Sequence, residues 1–431
     1  MVKSVLLVTS NGWGLGHLVR QLAIAGRLPN DIRCTIFTLS QAAAVAARPD
    51  LEYAPSYTQP WLGKGEWNGG YLRDRIVAIA EEVAADVIVY DGVVPYVGLL
   101  EALSLLPAER VWMRRGLWSK HSRTSPLRAS SWFDLILEPA DLGSSHDQGP
   151  TARRTDAVRV GVVTDANPNT AFSRELAARR LGLDPNRPAL LLNIGSSVVD
   201  DLDLVAEVAH RFPDWQLVTT KDELGRTRDV GDVHVLSGVF PLHPYLKAID
   251  LAVSSVGYNA AHELVAMQVP TIFVPAPTTT DDQYARANAI AEQGAGWAVT
   301  DASAASLAVL LARLLADDEG REAASAHCAR LRGSWSDGAA EAAEQIVDPP
   351  HRPRRESWLQ WCFVVARSRF EQMAGTRLRR QRRRVHEDFV VSRDLTRELM
   401  SGNLPFEHLL PRGGEAYEVR RREIAQNWLA E

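Results

Sequence analysis

Cysteine is scarce in this chain: 431 residues hold three, Cys34, Cys328 and Cys362, odd in number, far apart and without the paired spacing of a zinc site. A disulfide framework is excluded, and free thiols in a reducing, cytoplasmic compartment are expected. Long apolar runs are missing as well. No stretch approaches the roughly eighteen residues of a membrane-crossing helix, and the apolar run from Val5 to Val8 is too short for a secretory leader and flows straight into a strand and loop. Internal repeats and low-complexity tracts are also absent. What remains is 46% hydrophobic and 23% charged with a net charge of −5, the composition of a globular α/β chain long enough for two domains and an extra segment.

The first thirty residues read as a strand from Val5 to Thr9, a glycine-rich loop with Gly12, Gly14 and Gly16, and a helix that carries Leu18, Leu22, Ala25 and Leu28 on one face. His17 stands at the mouth of that helix. The spacing departs from the dinucleotide pattern, and the second strand, RCTIFTLS, closes on Ser40 where a ribose-binding acid would be required, so NAD binding is disfavoured. Strands and helices then alternate: LEYA, a helix from Tyr71 to Ala85, ADVIVYD ending on Asp91, a helix near Val97 to Leu105, RVWM and DLILEP. A further helix is expected from Gln41. Such alternation predicts a parallel sheet covered on both faces.

A second motif begins after the apolar strand at Leu251 to Val253, where SSVGYNAAHELV supplies a small-residue turn and a helix holding one carboxylate, Glu263. Ligands of α/β sheets bind beyond the carboxyl ends of strands, and free amides there can cradle a diphosphate. Gly257 lets backbone approach oxygen, Asn259 suits the N-cap, and the positive helix end favours phosphate. Glu263, a turn further on, can accept hydrogen bonds from both ribose hydroxyls. The competing reading is a surface glutamate after a serine-rich turn. An acid-amide pair, Asp282-Gln283, opens the next helix.

Taken together, Gly16-His17-Leu18-Val19-Arg20 and the later Gly257-Tyr258-Asn259, Glu263 and Asp282-Gln283 resemble family 28 glycosyltransferases of the GT-B fold, a family that includes the peptidoglycan GlcNAc transferase. The likeness covers about residues 1 to 345 and extends to GLGH and GYN variants within the family. It implies two Rossmann-like domains facing a cleft, a UDP-sugar held by the second, an acceptor held by the first, and no cofactor or metal. Position by position, it places the donor near Gly14, Gly16, Ser196, Ser197, Ser254, Ser255, Gly257, Tyr258 and Asn259. Gly238, Val239 and Phe240 then line the base, Glu263 takes the ribose, and Asp282 and Gln283 hold the sugar hydroxyls. Tyr258 and Ala260 depart from the small residue and hydroxyl of the cell-wall enzymes, which leaves the identity of the donor open.

Displacement at an anomeric carbon needs a base for the acceptor's proton, and His17, with an unperturbed pKa near 6.5, suits that task. The alternative is a histidine that caps the loop or touches a phosphate. Asp91 is the second candidate, as base or as the carboxylate that orients His17. Arg114 and Arg115 follow as candidates to neutralise the diphosphate, against the commoner role of paired arginines in ion pairs. Trp61 and Trp67, in the glycine-rich loop from Tyr57 to Gly70, either stack on an acceptor or pack the loop down.

Domains are expected at 1-157, 158-345 and 346-431, with the polar stretch from Asp141 to Ala157 approaching the hinge. Residues 351-431 carry seventeen arginines against eleven acids, a local charge of +6, and the densest part, from Arg352 to Arg384, begins with the apolar run from Trp358 to Val365. This basic helical extension either docks on the first domain or, through 352-384, lies peripherally on an anionic membrane face. Nucleic-acid binding is disfavoured because no recognition module surrounds the run. The sequence therefore predicts an inverting, metal-independent transfer of sugar from a nucleotide diphosphate sugar to a hydroxyl acceptor, lipid-linked or a natural product. Two alternatives stand beside it: a nucleotide-sugar hydrolase of the same fold, and a non-catalytic nucleotide-sugar-binding partner protein.

Overall fold

The computed structural model describes residues 2–10, 15–40, 43, 46–56, 67–193, 207–208, 210–220, 233–236, 239–301 and 303–349. Gly14, Trp61, Ser196, Ser197, Gly238, Cys362 and the basic extension lie outside them, as does most of the helix expected from Gln41.

The first half builds β1 (Ser4–Thr9), α1 (Gly16–Ala25), β2 (Arg33–Thr38), β3 (Glu52–Pro55), α2 (Leu72–Glu82), β4 (Val87–Asp91), α3 (Val97–Leu105), β5 (Glu109–Met113), β6 (Leu135–Pro139) and β7 (Val158–Val160). All these strands are parallel, in the order β3-β2-β1-β4-β5-β6-β7. Because every residue of β1 is buried, its apolar run serves two faces at once. Val5 and Leu7 join the core under α1, while Leu6 and Val8 join the opposite core with Ile76 and Ile79 of α2 and Leu99 and Leu103 of α3. Trp67 is fully buried there, edge-on to Tyr96 at 4.9 Å between ring centroids. A side chain buried there cannot stack on an acceptor, so that reading fails for this tryptophan.

The second half builds α4 (Arg174–Arg180), β8 (Ala189–Asn193), β9 (Gln216–Thr220), β10 (His234–Leu236), β11 (Leu251–Ser255), α5 (Tyr258–Ala266), β12 (Thr271–Val274), α6 (Gln283–Glu292), β13 (Trp297–Ala298), α7 (Ala304–Leu315), α8 (Asp318–Gly333) and α9 (Gly338–Val347). Its parallel sheet has the order β10-β9-β8-β11-β12-β13. In both sheets the chain leaves its first strand on one side and returns on the other, between β1 and β4 and between β8 and β11. Those two switch points are where parallel α/β sheets bind ligands. Cys34 and Cys328 are buried, and neither forms a disulfide among the described residues. No described helix is long and apolar enough to cross a membrane.

The first half extends past the expected boundary at 157, and a helix from just before the expected boundary at 345 returns to it. β7 pairs with β6, and Val160 and Val163 sit in the first core. α9 also returns to that core, burying Ala339, Ala342, Ala343 and Ile346 beside α1. The two crossings between the halves lie side by side, bridged at Val162 and Asp337. A Cβ on Gly161 would stand 2.2 Å from the Ser336 hydroxyl and one on Gly338 2.0 Å from the Gly161 carbonyl, so only glycine permits this approach.

Candidate active site between the two halves

His17 enters the site on the first turn of α1 and Asp91 at the last residue of β4, across the switch point of the first sheet. Their side chains meet, His17 Nδ1 to Asp91 Oδ1 at 2.7 Å. Arg20, one turn along α1, reaches the same carboxylate with Nε at 3.0 Å from Oδ2 and Nη2 at 2.5 Å from Oδ1. Asp91 is fully buried and the His17 side chain keeps 19% exposure. Burial pushes Asp91 upward, but Arg20 and then His17 outweigh it and hold the carboxyl below its ordinary range. For His17 burial is the largest influence and lowers the pKa; Asp91 pulls it back, while Arg20 and Arg115 reinforce the lowering. The ring is therefore neutral near pH 7. With Nδ1–H donated to the carboxylate, Nε2 carries the lone pair a general base requires. Asp91, fully buried and doubly engaged, is placed to orient the His17 ring.

The second half brings its ligand-facing turn to the same place. α5 begins at Tyr258 with Gly257 as its N-cap residue, and a Cβ added at Gly257 would meet no protein atom within 4 Å. Protein packing does not demand a glycine there. Asn259 does not cap α5 as expected; its Nδ2 instead donates to the Gly16 carbonyl at 3.0 Å, joining the starts of α5 and α1. Glu263 faces partly outward from α5, and its carboxylate has no hydrogen-bond partner among the described residues. Burial, with Asp165 nearby, raises it to about 7.

Other expected donor residues divide. Ser255 is partly exposed, whereas Ser254 is fully buried and its hydroxyl donates to the Ser255 carbonyl, so that side chain turns away from a ligand. Val239 and Phe240 are partly buried, Val239 packed on the second core and Phe240 on the first. Asp282 caps α6 through Ala285 N, and Gln283 Oε1 accepts from Ala276 N at 3.0 Å; both keep partial exposure. Gly16 is exposed at the start of α1. Tyr258 is 3% exposed and its hydroxyl is committed to the hinge, donating to the Ala140 carbonyl at 3.0 Å and accepting from Val163 N at 3.1 Å. The hydroxyl ties the halves together and is turned away from a donor.

The expected arginine pair separates in the same way. Arg114 is buried in ion pairs with Glu138 and Asp156, which removes it from any ligand. Arg115 remains at the seam, near His17 in charge and 3.4 Å from Asp281.

Sequence reasoning missed the groups that hold this seam. Arg286 of α6, fully buried, reaches Asp141 with Nε at 2.8 Å and Nη2 at 2.7 Å, Asp281 at 2.7 Å and the Val256 carbonyl at 2.6 Å. Backbone pairing adds to it, with Ser119 N donating to the Thr280 carbonyl at 2.7 Å and Asp282 N to the Leu117 carbonyl at 3.0 Å. His262 is buried behind Tyr258, donating to the Tyr258 carbonyl and accepting from Leu142 N at 3.2 Å. Burial lowers it to about 4 from 6.5. Unfolded histidine takes a proton below about 6.5 while the folded ring refuses it until about 4, so stability declines as pH falls through that window, by about 3 kcal/mol in all. Urea unfolding at pH 7 and pH 5 checks this: His262→Gln flattens the pH dependence relative to the native chain, and equal slopes would refute the assignment.

Residues 219–346 match the glycosyltransferase family 28 C-terminal domain. This chain is a glycosyltransferase that carries that domain. Over 342 residues the glycosyltransferase is 25% identical to the UDP-N-acetylglucosamine–N-acetylmuramyl-(pentapeptide) pyrophosphoryl-undecaprenol N-acetylglucosamine transferase of Bifidobacterium longum, 68% of this chain covering 85% of that one. Among solved structures it is similar to the spinosyn forosaminyltransferase, at a TM-score of 0.57 and 15% identity over 80% of this chain and 98% of that one. MurG of Acinetobacter baumannii is similar at a TM-score of 0.50 and 15% identity, over 80% and 99%. The glycosyltransferase thus has the GT-B fold, with two parallel α/β domains.

Proposed function

We propose that this glycosyltransferase moves a hexose from a nucleotide diphosphate sugar, a UDP-sugar, to a hydroxyl acceptor in a single inverting displacement that needs no metal. The observation that carries the reading is the His17–Asp91 pair set beside the open turn at Gly257, with α1 and α5 joined through Gly16 and Asn259. In this reading the amides at Ser255 to Gly257 and the positive end of α5 hold the diphosphate, Glu263 the ribose, Asp282 and Gln283 the sugar, and Val239 and Phe240 the base. Gly16 borders the reacting centre. His17 Nε2 takes the acceptor's proton while Asp91 steadies the imidazolium that forms. With the base on one half and the diphosphate held by the other, the acceptor hydroxyl attacks the anomeric carbon on the face opposite the departing nucleoside diphosphate, the geometry of inversion. Helix amides and Arg115 supply the neutralisation that a bound cation provides elsewhere. The Bifidobacterium relative's name prints a UDP-sugar donor and an undecaprenol-linked acceptor; an acceptor of that kind would bring the reaction to a membrane face.

Binding measured by calorimetry across UDP-, GDP- and dTDP-sugars tests the donor assignment. Glu263→Ala weakens the best ligand roughly tenfold, the loss of charged hydrogen bonds to two hydroxyls. Because burial holds Glu263 near 7, the native chain binds more tightly as pH rises through 7 and the carboxylate ionises, while Glu263→Ala shows no such rise. Equal affinity of the two proteins at pH 8 would remove Glu263 from the ribose site.

A further inference from the structure

Asp91 is a fully buried carboxylate with two cationic or potentially cationic neighbours, and it needs only one counter-charge. A buried carboxylate without a counter-ion is costly, so if the permanent guanidinium of Arg20 were absent, the proton would be drawn to His17 instead. Arg20 engages both oxygens of Asp91 with separate nitrogens, Nε on Oδ2 and Nη2 on Oδ1, the paired geometry of a planar fork. Its side chain is 2% exposed, and the donor half covers it: the Tyr258 ring of α5 lies under the guanidinium, 5.3 Å from its central carbon. The Arg20 Nη2 also stands 2.8 Å from His17 Nδ1; when Nδ1 carries hydrogen that nitrogen cannot accept from Arg20, and the two donors share Asp91 Oδ1, at 2.7 and 2.5 Å.

We propose that Arg20 is a positioning residue of the transfer site: it supplies the counter-charge that Asp91 requires and so leaves the His17 ring neutral, with the Nε2 lone pair free for a hydroxyl acceptor. The charged groups facing His17 are Asp91 from the end of β4, Arg20 from its own helix and Arg115 from beyond β5; one anion meets two cations. Asp91 then performs two separable tasks. Paired with Arg20 it does not charge the imidazole in the resting site, yet it remains against Nδ1 to stabilise the imidazolium once the acceptor's proton arrives. The proposal rests on His17 being the base.

The test is a nitrogen-15 histidine titration of the full chain, with the His17 signal assigned by its loss in His17→Gln. That reading of charge is independent of turnover, so it can succeed even where the transferase reading fails. The native ring shows the Nδ1–H tautomer at pH 7.5 and a midpoint below 6.5. Arg20→Gln raises the midpoint by about one pH unit or more, and the acid limb of turnover moves with it. Arg20→Lys, which keeps the charge, stays closer to the native midpoint. A merely structural arginine would lower activity at every pH without moving the midpoint, and that result would overturn the proposal. Should Arg20→Gln not fold, the native ring decides: a proton on Nε2 at pH 7.5 refutes the arrangement, and one on Nδ1 supports it.

Discussion

His17→Ala lowers turnover about a hundredfold or more and leaves donor affinity within roughly twofold. The separation follows from where the ring sits. His17 belongs to the first half, on the opening turn of α1, while the groups assigned to the donor belong to the second. Removing the imidazole takes away the proton acceptor without touching the turn at Gly257, the carboxylate of Glu263 or the Asp282-Gln283 pair. A hundredfold loss equals about 2.7 kcal/mol of transition-state stabilisation, within what one well-oriented base supplies. The measurement is turnover under saturating donor together with calorimetric donor binding. Unchanged turnover would take His17 out of the chemistry, and a parallel loss of donor affinity would make it a phosphate contact, the other reading its position at the start of α1 permits.

Arg286→Ala destabilises the protein by about 3–5 kcal/mol, seen as a lower urea midpoint at constant slope. Two carboxylates depend on this guanidinium. Asp141 lies at the end of the first sheet and Asp281 just ahead of α6, and both are held below their ordinary range in its presence. Without it they are left buried with reduced compensation, and the Val256 carbonyl beside the donor turn loses its partner. Arg286→Lys recovers only part of the loss, because one ammonium cannot satisfy both carboxylates and the carbonyl in this geometry. A change under about 1 kcal/mol in Arg286→Ala would show that the cluster contributes little beyond its own desolvation.

The strands were legible because each is an apolar run long enough to stand out: VLLV in β1, VIVY in β4, ALLL in β8 and TIFV in β12 are buried as the pattern predicts. β7 and β13 escaped it, with three and two residues offering no periodicity to read. His17 at the start of α1 and the helix with Glu263 were visible from residue type and position after a strand. Tyr258 was not, since its hydroxyl finds Ala140 and Val163, 118 and 95 residues away, and only the folded hinge brings them together. The inward turn of the Ser254 side chain was not legible, because the strand β11 is buried on both faces through Ser254 and the serine itself does not announce it. Arg114 and Arg115 show the same limit. Neighbours in sequence, they are separated by the fold, one paired inside the first half and one at the seam.

The first half is discontinuous along the chain. Its sheet ends near Val163, but the surface that α1 leaves bare is closed by α9, about 175 residues later, after the whole second half has been made. A polypeptide stopped anywhere before Gly338 would present Ala339's neighbours in the first core to water, so during synthesis that half cannot complete its packing until the donor half has emerged. Folding of the base-bearing half is thereby deferred until the partner it must meet is present.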